Sequence, residues 1–338
     1  QSINPYFSVA KYAAQKIDPY SFSITANIID HPGLRALIPG LTQFEPVVIS
    51  ANFSSTQGMN GIVDAPLIVM NGNRIEQLKM NAITVNNTIE LNTSVTKLKT
   101  AGLNIYATTV AAKIANNNIN FDLNIKDRLS NNRYTLTGLL AQPVNQQYSL
   151  SILPSNLMLN YQPWSINNGN RIDIRDGGVI ANQFVLNHGS EQLSINSTQP
   201  VINSPLSIDF NNFKISTITG FIESDSILVN GNINGNVLIK NIQTQPSFTS
   251  GLTINDLSFN KDTLGDVKAN VSNISPNIFA TDITLTGRGN DLSIKGTYYL
   301  KPANQSSVDI DININALQLH TIEGLTMNSI TEATGALN

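Results

Sequence analysis

From position 307 to 315 the chain reads S-V-D-I-D-I-N-I-N, with Val308, Ile310, Ile312 and Ile314 at every second place and polar residues between. Successive side chains of a strand point to opposite faces, so this run predicts a strand with one aliphatic and one polar face. The same alternation runs through Phe22, Ile24, Ala26 and Ile28, through Ile119, Phe121, Leu123 and Ile125, and through Val267, Ala269 and Val271. Clusters of Asn and Gly, such as 71–73, 116–118, 167–170 and 231–236, punctuate these runs and supply turns with positive φ. On the order of twenty strands follow, at the spacing of a sandwich, barrel or solenoid.

Helical patterning is sparse. Residues 5–17 and 32–44 each suggest a few turns, with Asp30 as N-cap of the second, and 212–222 is a weaker candidate because Ile215, Thr217, Ile218 and Thr219 are β-branched. Composition agrees with a strand-rich chain: of 338 residues only 13% are charged, and Cys is absent. A break in the run of strands near 202–213 divides the chain into 1–205 and 206–338. The sequence G-N-I-N-G at 231–235 is echoed by T-G-A-L-N at 334–338, as expected of a sheet built from repeated units and of a segment continuing into another strand.

Net charge of -3 and the lack of a basic patch interleaved with aromatics argue against a nucleic-acid partner. No run of eighteen apolar residues predicts a transmembrane segment. His31, His188 and His320 stand far apart, without metal-ligand spacing, and no G-x-S-x-G elbow occurs. The D-I-D-I-N at 309–313 imitates the start of a calcium loop but has Ile314 in place of its Gly and His320 in place of its terminal Glu. Gly287–Asn290 (G-R-G-N) reads as a hairpin turn, and Trp164 as a packing residue. Neither catalysis, a cofactor nor a metal is expected.

What remains is apolar area. Ile283, Leu285, Leu292, Ile294, Val308, Ile310, Ile312 and Ile314 would form one continuous sheet face. Pattern alone leaves two readings open: the core of a sandwich, or an exposed trough.

The segment 231–271, followed by I-T-L-T-G-R-G-N-D-L-S-I-K-G-T-Y-Y at 283–299, resembles the TamB proteins of the AsmA-like superfamily, in the form found in Bacteroidota. Gly231, Gly235, Pro246, Gly265, Asp266, Gly287, Asn290, Asp291, Gly296 and Tyr298 stand at matching places. Residues 162–197 are similar to a preceding module of that family; the first half follows loosely. The resemblance implies an all-β, elongated, curved antiparallel or mixed sheet, a U-shaped β-taco with an aliphatic groove and a few short helices, within a larger periplasmic protein anchored in the inner membrane. It implies phospholipid acyl chains as cargo between the membranes, the eight aliphatics above as groove lining, a role in outer-membrane protein assembly, and a BamA- or TamA-like outer-membrane barrel as partner. Asp225-Ser226-Ile227 and Asp262-Thr263-Leu264 look like the O-glycosylation signal of Bacteroidota, at Ser226 and Thr263. The alternatives are an extracellular β-solenoid adhesin or glycan-binding module, which needs aromatic platforms on a polar face, and a carbohydrate-active β-helix enzyme, which needs convergent carboxylates.

Overall fold

The computed structural model describes residues 6–7, 18–100, 103–220, 229–259, 262–300, 306–325 and 335–337. Of these described residues 71% lie in strands and three short helices occur among them, arranged as open, curved antiparallel sheets, so the all-β expectation holds. Every strand pair with a described register is antiparallel. The chain forms two compact units, Gln1–Trp164 making up the bulk of one, Ser165–Gly220 with Ser224–Asn338 the other. The division at 205/206 read from sequence falls inside the second, just before the strand Leu206–Lys214.

In the first unit a meander runs from Ser21–Ile28 and Val47–Ser54 through Gly58–Met70, Asn73–Val85, Thr88–Thr100, Leu103–Ala115, Asn118–Lys126 and Asn132–Val144 to Gln147–Ile152. Its hairpins are tight because asparagines accept the left-handed conformation: φ is 47° and 59° at Asn86 and Asn87, and 50° and 61° at Asn116 and Asn117. In the second unit, Phe184–His188, Glu191–Ser197, Leu206–Lys214, Val229–Lys240, Ser247–Phe259, Asp262–Ser275, Ile278–Gly287, Asn290–Tyr299 and Ser307–Gln318 pair in succession. Gly287 pairs with Asn290 across Arg288 and Gly289, both at positive φ, which makes G-R-G-N the hairpin turn expected.

The helices differ from expectation. The helix expected over 32–44 stops at Leu37, because Ile38 precedes Pro39 and a residue before proline is driven to extended backbone; Leu41–Phe44 is a strand. Its N-cap is His31, whose Nδ1 accepts from Gly33 N at 3.0 Å. Asp30 instead pairs with Arg35, and that hydrogen bond holds its carboxyl below the usual range. Of the 212–222 candidate, Asn212 to Lys214 belong to a strand, Ser216–Thr219 is helical, and 221–222 lie outside the described residues. Apart from Tyr6 and Phe7, the candidate at 5–17 lies outside the described residues.

Strict alternation breaks at a set of bulges. Asn212 and Asp256 adopt left-handed φ of 48° and 49°, and the register slips beside them, between Phe210 and Phe213 and between Ile254 and Leu257. An extra residue at a bulge returns the chain to the same face after three positions in place of two, so Phe210 and Phe213 meet with ring centroids 5.8 Å apart. Ala107, at φ of 32°, stands at a similar slip between Tyr106 and Thr108 in the first unit, whereas Gln77, at φ of 52°, leaves the register of its strand unchanged. Bulges bend strands and increase local twist, which suits open sheets that curve.

Beyond the bulges the second unit has a closed core of Leu257, Leu264, Val267, Leu285, Leu292 and Leu317, against which Ile215 and Ile322 pack. Ile322 belongs to the short helix Leu319–Leu325. Asn290, 3% exposed, ties that helix down: its Nδ2 donates to the Leu264 carbonyl at 2.7 Å, while its Oδ1 accepts from Gln318 N at 2.8 Å and from Thr321 Oγ1 at 3.1 Å.

Candidate functional site

Directly opposed residues in an antiparallel pair lie on the same face, so register alone traces the apolar surface across the second unit. One row runs Leu186, Leu193, Phe210, Gly235, Leu252, Ala269, Ile283, Ile294 and Ile312. A second runs Phe184, Ile195, Ile208, Val237, Ser250, Val271, Thr281, Gly296 and Ile310. A third carries aromatic rings, Phe248 to Phe279 at 6.0 Å and Phe279 to Tyr298 at 6.3 Å, and ends at Val308 opposite Tyr298.

The opposite face is polar. Ser194, Asp209, Asn236, Gly251, Asn270, Asp282, Lys295 and Asp311 oppose one another in turn, with Lys295 Nζ 3.4 Å from Asp282 Oδ2. Asp309 and Asp311 stand opposite Thr297 and Lys295 on this face, so the calcium-like run is a polar strand face.

Two glycines let the apolar rows close up. A Cβ at Gly235, where φ is +113°, would lie 2.0 Å from the Gly251 carbonyl oxygen; one at Gly296 would lie 2.1 Å from that of Asp309. Only hydrogen fits there, so both positions require glycine.

The structure separates the eight aliphatics named from sequence. Leu285 and Leu292, 4% and 9% exposed, belong to the closed core, a cluster at the strand ends against which Ile215 and Ile322 pack. This corrects their assignment as open lining. Ile283 and Ile294 are half-buried against that core. Val308, Ile310, Ile312 and Ile314 are 60%, 42%, 55% and 44% exposed. Their strand pairs with Asn290–Tyr299 on one side and, among the described residues, on the other only with Ala336–Leu337, at Leu317 and Gln318. The face is therefore open at these four residues and closed at the strand end that carries Leu285, Leu292 and Leu317.

The first unit carries a comparable row: Ile24, Ala51, Gly61, Ala82, Leu91, Ala112, Phe121, Gly138 and Ile152. At its edge strand, Phe22 and Ile24 are each 48% exposed, and Phe22 stacks on Phe53 at 5.0 Å. Further along, Ala82 and Ala112 are buried, and Gly138 leaves room for the Phe121 ring.

Trp164 is buried, in keeping with a packing residue. Thr263 stands half-buried opposite Ser258, and Ser226 lies outside the described residues. Among the described residues no three His, Asp or Glu side chains gather as metal ligands, and no helix is long and apolar enough to cross a membrane, which says nothing of β-barrels.

Sequence reading missed the bulges, the Leu319–Leu325 helix and the aromatic row. The bulges leave a signal: apolar residues three apart, with Asn or Asp immediately before the second, as in F-N-N-F and I-N-D-L. The row has none, since Phe248, Phe279 and Tyr298 meet only through pairing. Compared with known proteins, the chain matches no family model, no curated protein and no solved structure.

Proposed function

We propose that the aliphatic sheet face holds the acyl chains of phospholipids and conducts them, as a segment of a TamB-like periplasmic envelope protein bridging inner and outer membranes. The observation that carries this reading is the exposure of Val308, Ile310, Ile312 and Ile314 together, on one strand, continuous with an apolar row that crosses the sheet. Branched aliphatics left in water in such number mark a surface that something apolar covers. Each methylene removed from water contributes about 0.8 kcal/mol, so covering a long acyl chain offsets much of the cost of extracting it from a bilayer. Binding of this kind needs no nucleophile and no cofactor. In the full-length context, a BamA- or TamA-like outer-membrane barrel would receive the lipid or take part in barrel assembly. The adhesin reading is weaker, because Phe248, Phe279 and Tyr298 lie on the apolar face and not on the polar one.

Replacing Ile310 and Ile312 together by Asp is expected to abolish phospholipid retained by the purified protein in native mass spectrometry, with the circular dichroism of the sheet unchanged. Retained lipid at the wild-type level would overturn the proposal. So would a wild-type protein that carries no lipid and hides this face in a dimer.

A further inference from the structure

The meander places the turns of the first unit at two ends of its sheet, and they differ in charge. One end has Asn86, Asn87, Asn116, Asn117 and Gln146 at its turns. At the other, Arg74 stands opposite Lys99, Glu76 opposite Lys97, and Tyr106 opposite both Lys97 and Lys126. These pairings put the cations on one face. Lys97 Nζ lies 5.5 Å from the Tyr106 ring centroid, and Arg128 covers the same ring at 5.2 Å while its Nε donates to the Tyr106 hydroxyl at 3.0 Å. Like charges directly opposed across strands are unfavourable, and no carboxylate forms an ion pair with Lys97, Lys99 or Lys126 among the described residues.

Next to Arg128, on the turn that follows Lys126, Leu129 is 83% exposed. Asp127 holds that turn: its Oδ1 accepts from Leu129 N and Asn131 N, each at 2.9 Å, and its Oδ2 from Tyr161 Oη at 2.9 Å and Asn131 Nδ2 at 3.1 Å. Partial desolvation works against its ionisation, but the bonds from Asn131, Tyr161 and Leu129 outweigh it and keep the carboxyl below its usual range. Its charge is thus engaged within the turn.

We propose that this strand end, with Lys97, Lys99, Lys126 and Arg128 around Leu129 and Tyr106, docks on an anionic phospholipid surface. Cations interact with the headgroups, an apolar tip enters the interface, and a tyrosine suits the boundary between them. A nucleic acid or acidic peptide would use the cations but has no place for a leucine presented on a rigid turn. This surface is built from residues of the first unit and shares none with the aliphatic face of the second.

Flotation of the full chain with vesicles of phosphatidylcholine alone, and of an equal mixture with phosphatidylglycerol, tests it. The chain is expected to float with the anionic vesicles only, less so at high salt. Lys97→Gln, Lys99→Gln and Lys126→Gln together are expected to lower the partition coefficient about a hundredfold, and Leu129→Ser about tenfold. Lys240→Gln, Lys268→Gln and Lys295→Gln together should float as the wild type does. Equal flotation with neutral vesicles, a lysine variant that floats undiminished with an unchanged melting temperature, or binding of duplex DNA without flotation would each overturn the proposal. Loss of flotation in the Ile310, Ile312 pair alone would assign the contact to the aliphatic face instead.

Discussion

Leu264→Ala is expected to lower the unfolding free energy of the second unit by about 2–5 kcal/mol, whereas Ile312→Ala should change it by no more than about 0.5 kcal/mol. Both residues lie on strands of one sheet, and sequence gives no reason to rank them. Leu264 is 0% exposed and touches a cluster closed by Ile215 and Ile322, so truncation removes a packed side chain and leaves a cavity. Ile312 is 55% exposed, so truncation removes little that folding had buried. Urea unfolding of the two variants, followed by circular dichroism, measures the contrast. Similar losses at both sites would mean that the Ile312 face is covered in solution, and the reading of that face as an open surface would fail.

The second large effect is expected at Asn290. Asn290→Leu removes one donor and one acceptor that serve three partners: the Leu264 carbonyl, the Gln318 amide and the Thr321 hydroxyl. Thr321 is 0% exposed, so its hydroxyl has no solvent to turn to. Each buried group left without a partner costs about 1–3 kcal/mol, so a total of about 3 kcal/mol or more is expected. Asn290→Asp keeps the acceptor for Gln318 and Thr321 but brings a carboxyl oxygen to the Leu264 carbonyl, and should be intermediate only at a pH where that carboxyl is protonated. Removing the stranded hydroxyl as well, in Asn290→Leu with Thr321→Val, should recover part of the loss, giving a coupling in a double-mutant cycle. Hydrogen exchange gives a second measure: amides of residues 318–323 should lose protection in Asn290→Leu, while those of 292–298 change less. If stability is unaffected, the network does not hold the helix over the core.

Local patterning made most strands legible. Ser307–Gln318 follows directly from its alternation, and the Asn-Asn and Gly-containing turns follow from the few residues that tolerate positive φ. The helix at Pro32 was visible in part, with its end set by Ile38-Pro39 but its cap supplied by His31 in place of Asp30. The bulges at Asn212 and Asp256 were not read, because a three-residue step between apolar positions looks like loss of pattern until register shows both residues on one face.

The candidate site was legible as a list and not as a surface. All eight aliphatics alternate correctly, yet Leu285 and Leu292 are in the core while Val308 to Ile314 face water. Periodicity reports which side of its own strand a residue occupies, and that is a local property. Whether that side meets solvent depends on what packs above it, here Ile215 and Ile322, from segments distant in sequence. The cationic end of the first unit shows the same limit: Arg74, Lys97, Lys99 and Lys126 are scattered over more than fifty positions and form no patch in the sequence. Backbone pairing alone brings them together.

The sequence by itself determined that this protein is a succession of amphipathic antiparallel strands joined by asparagine and glycine turns, since alternation and turn conformation are set by neighbours a few residues apart. Only the tertiary structure decided which part of the aliphatic face is closed and which is open, because burial is set by contacts between strand ends and short helices far apart in the chain.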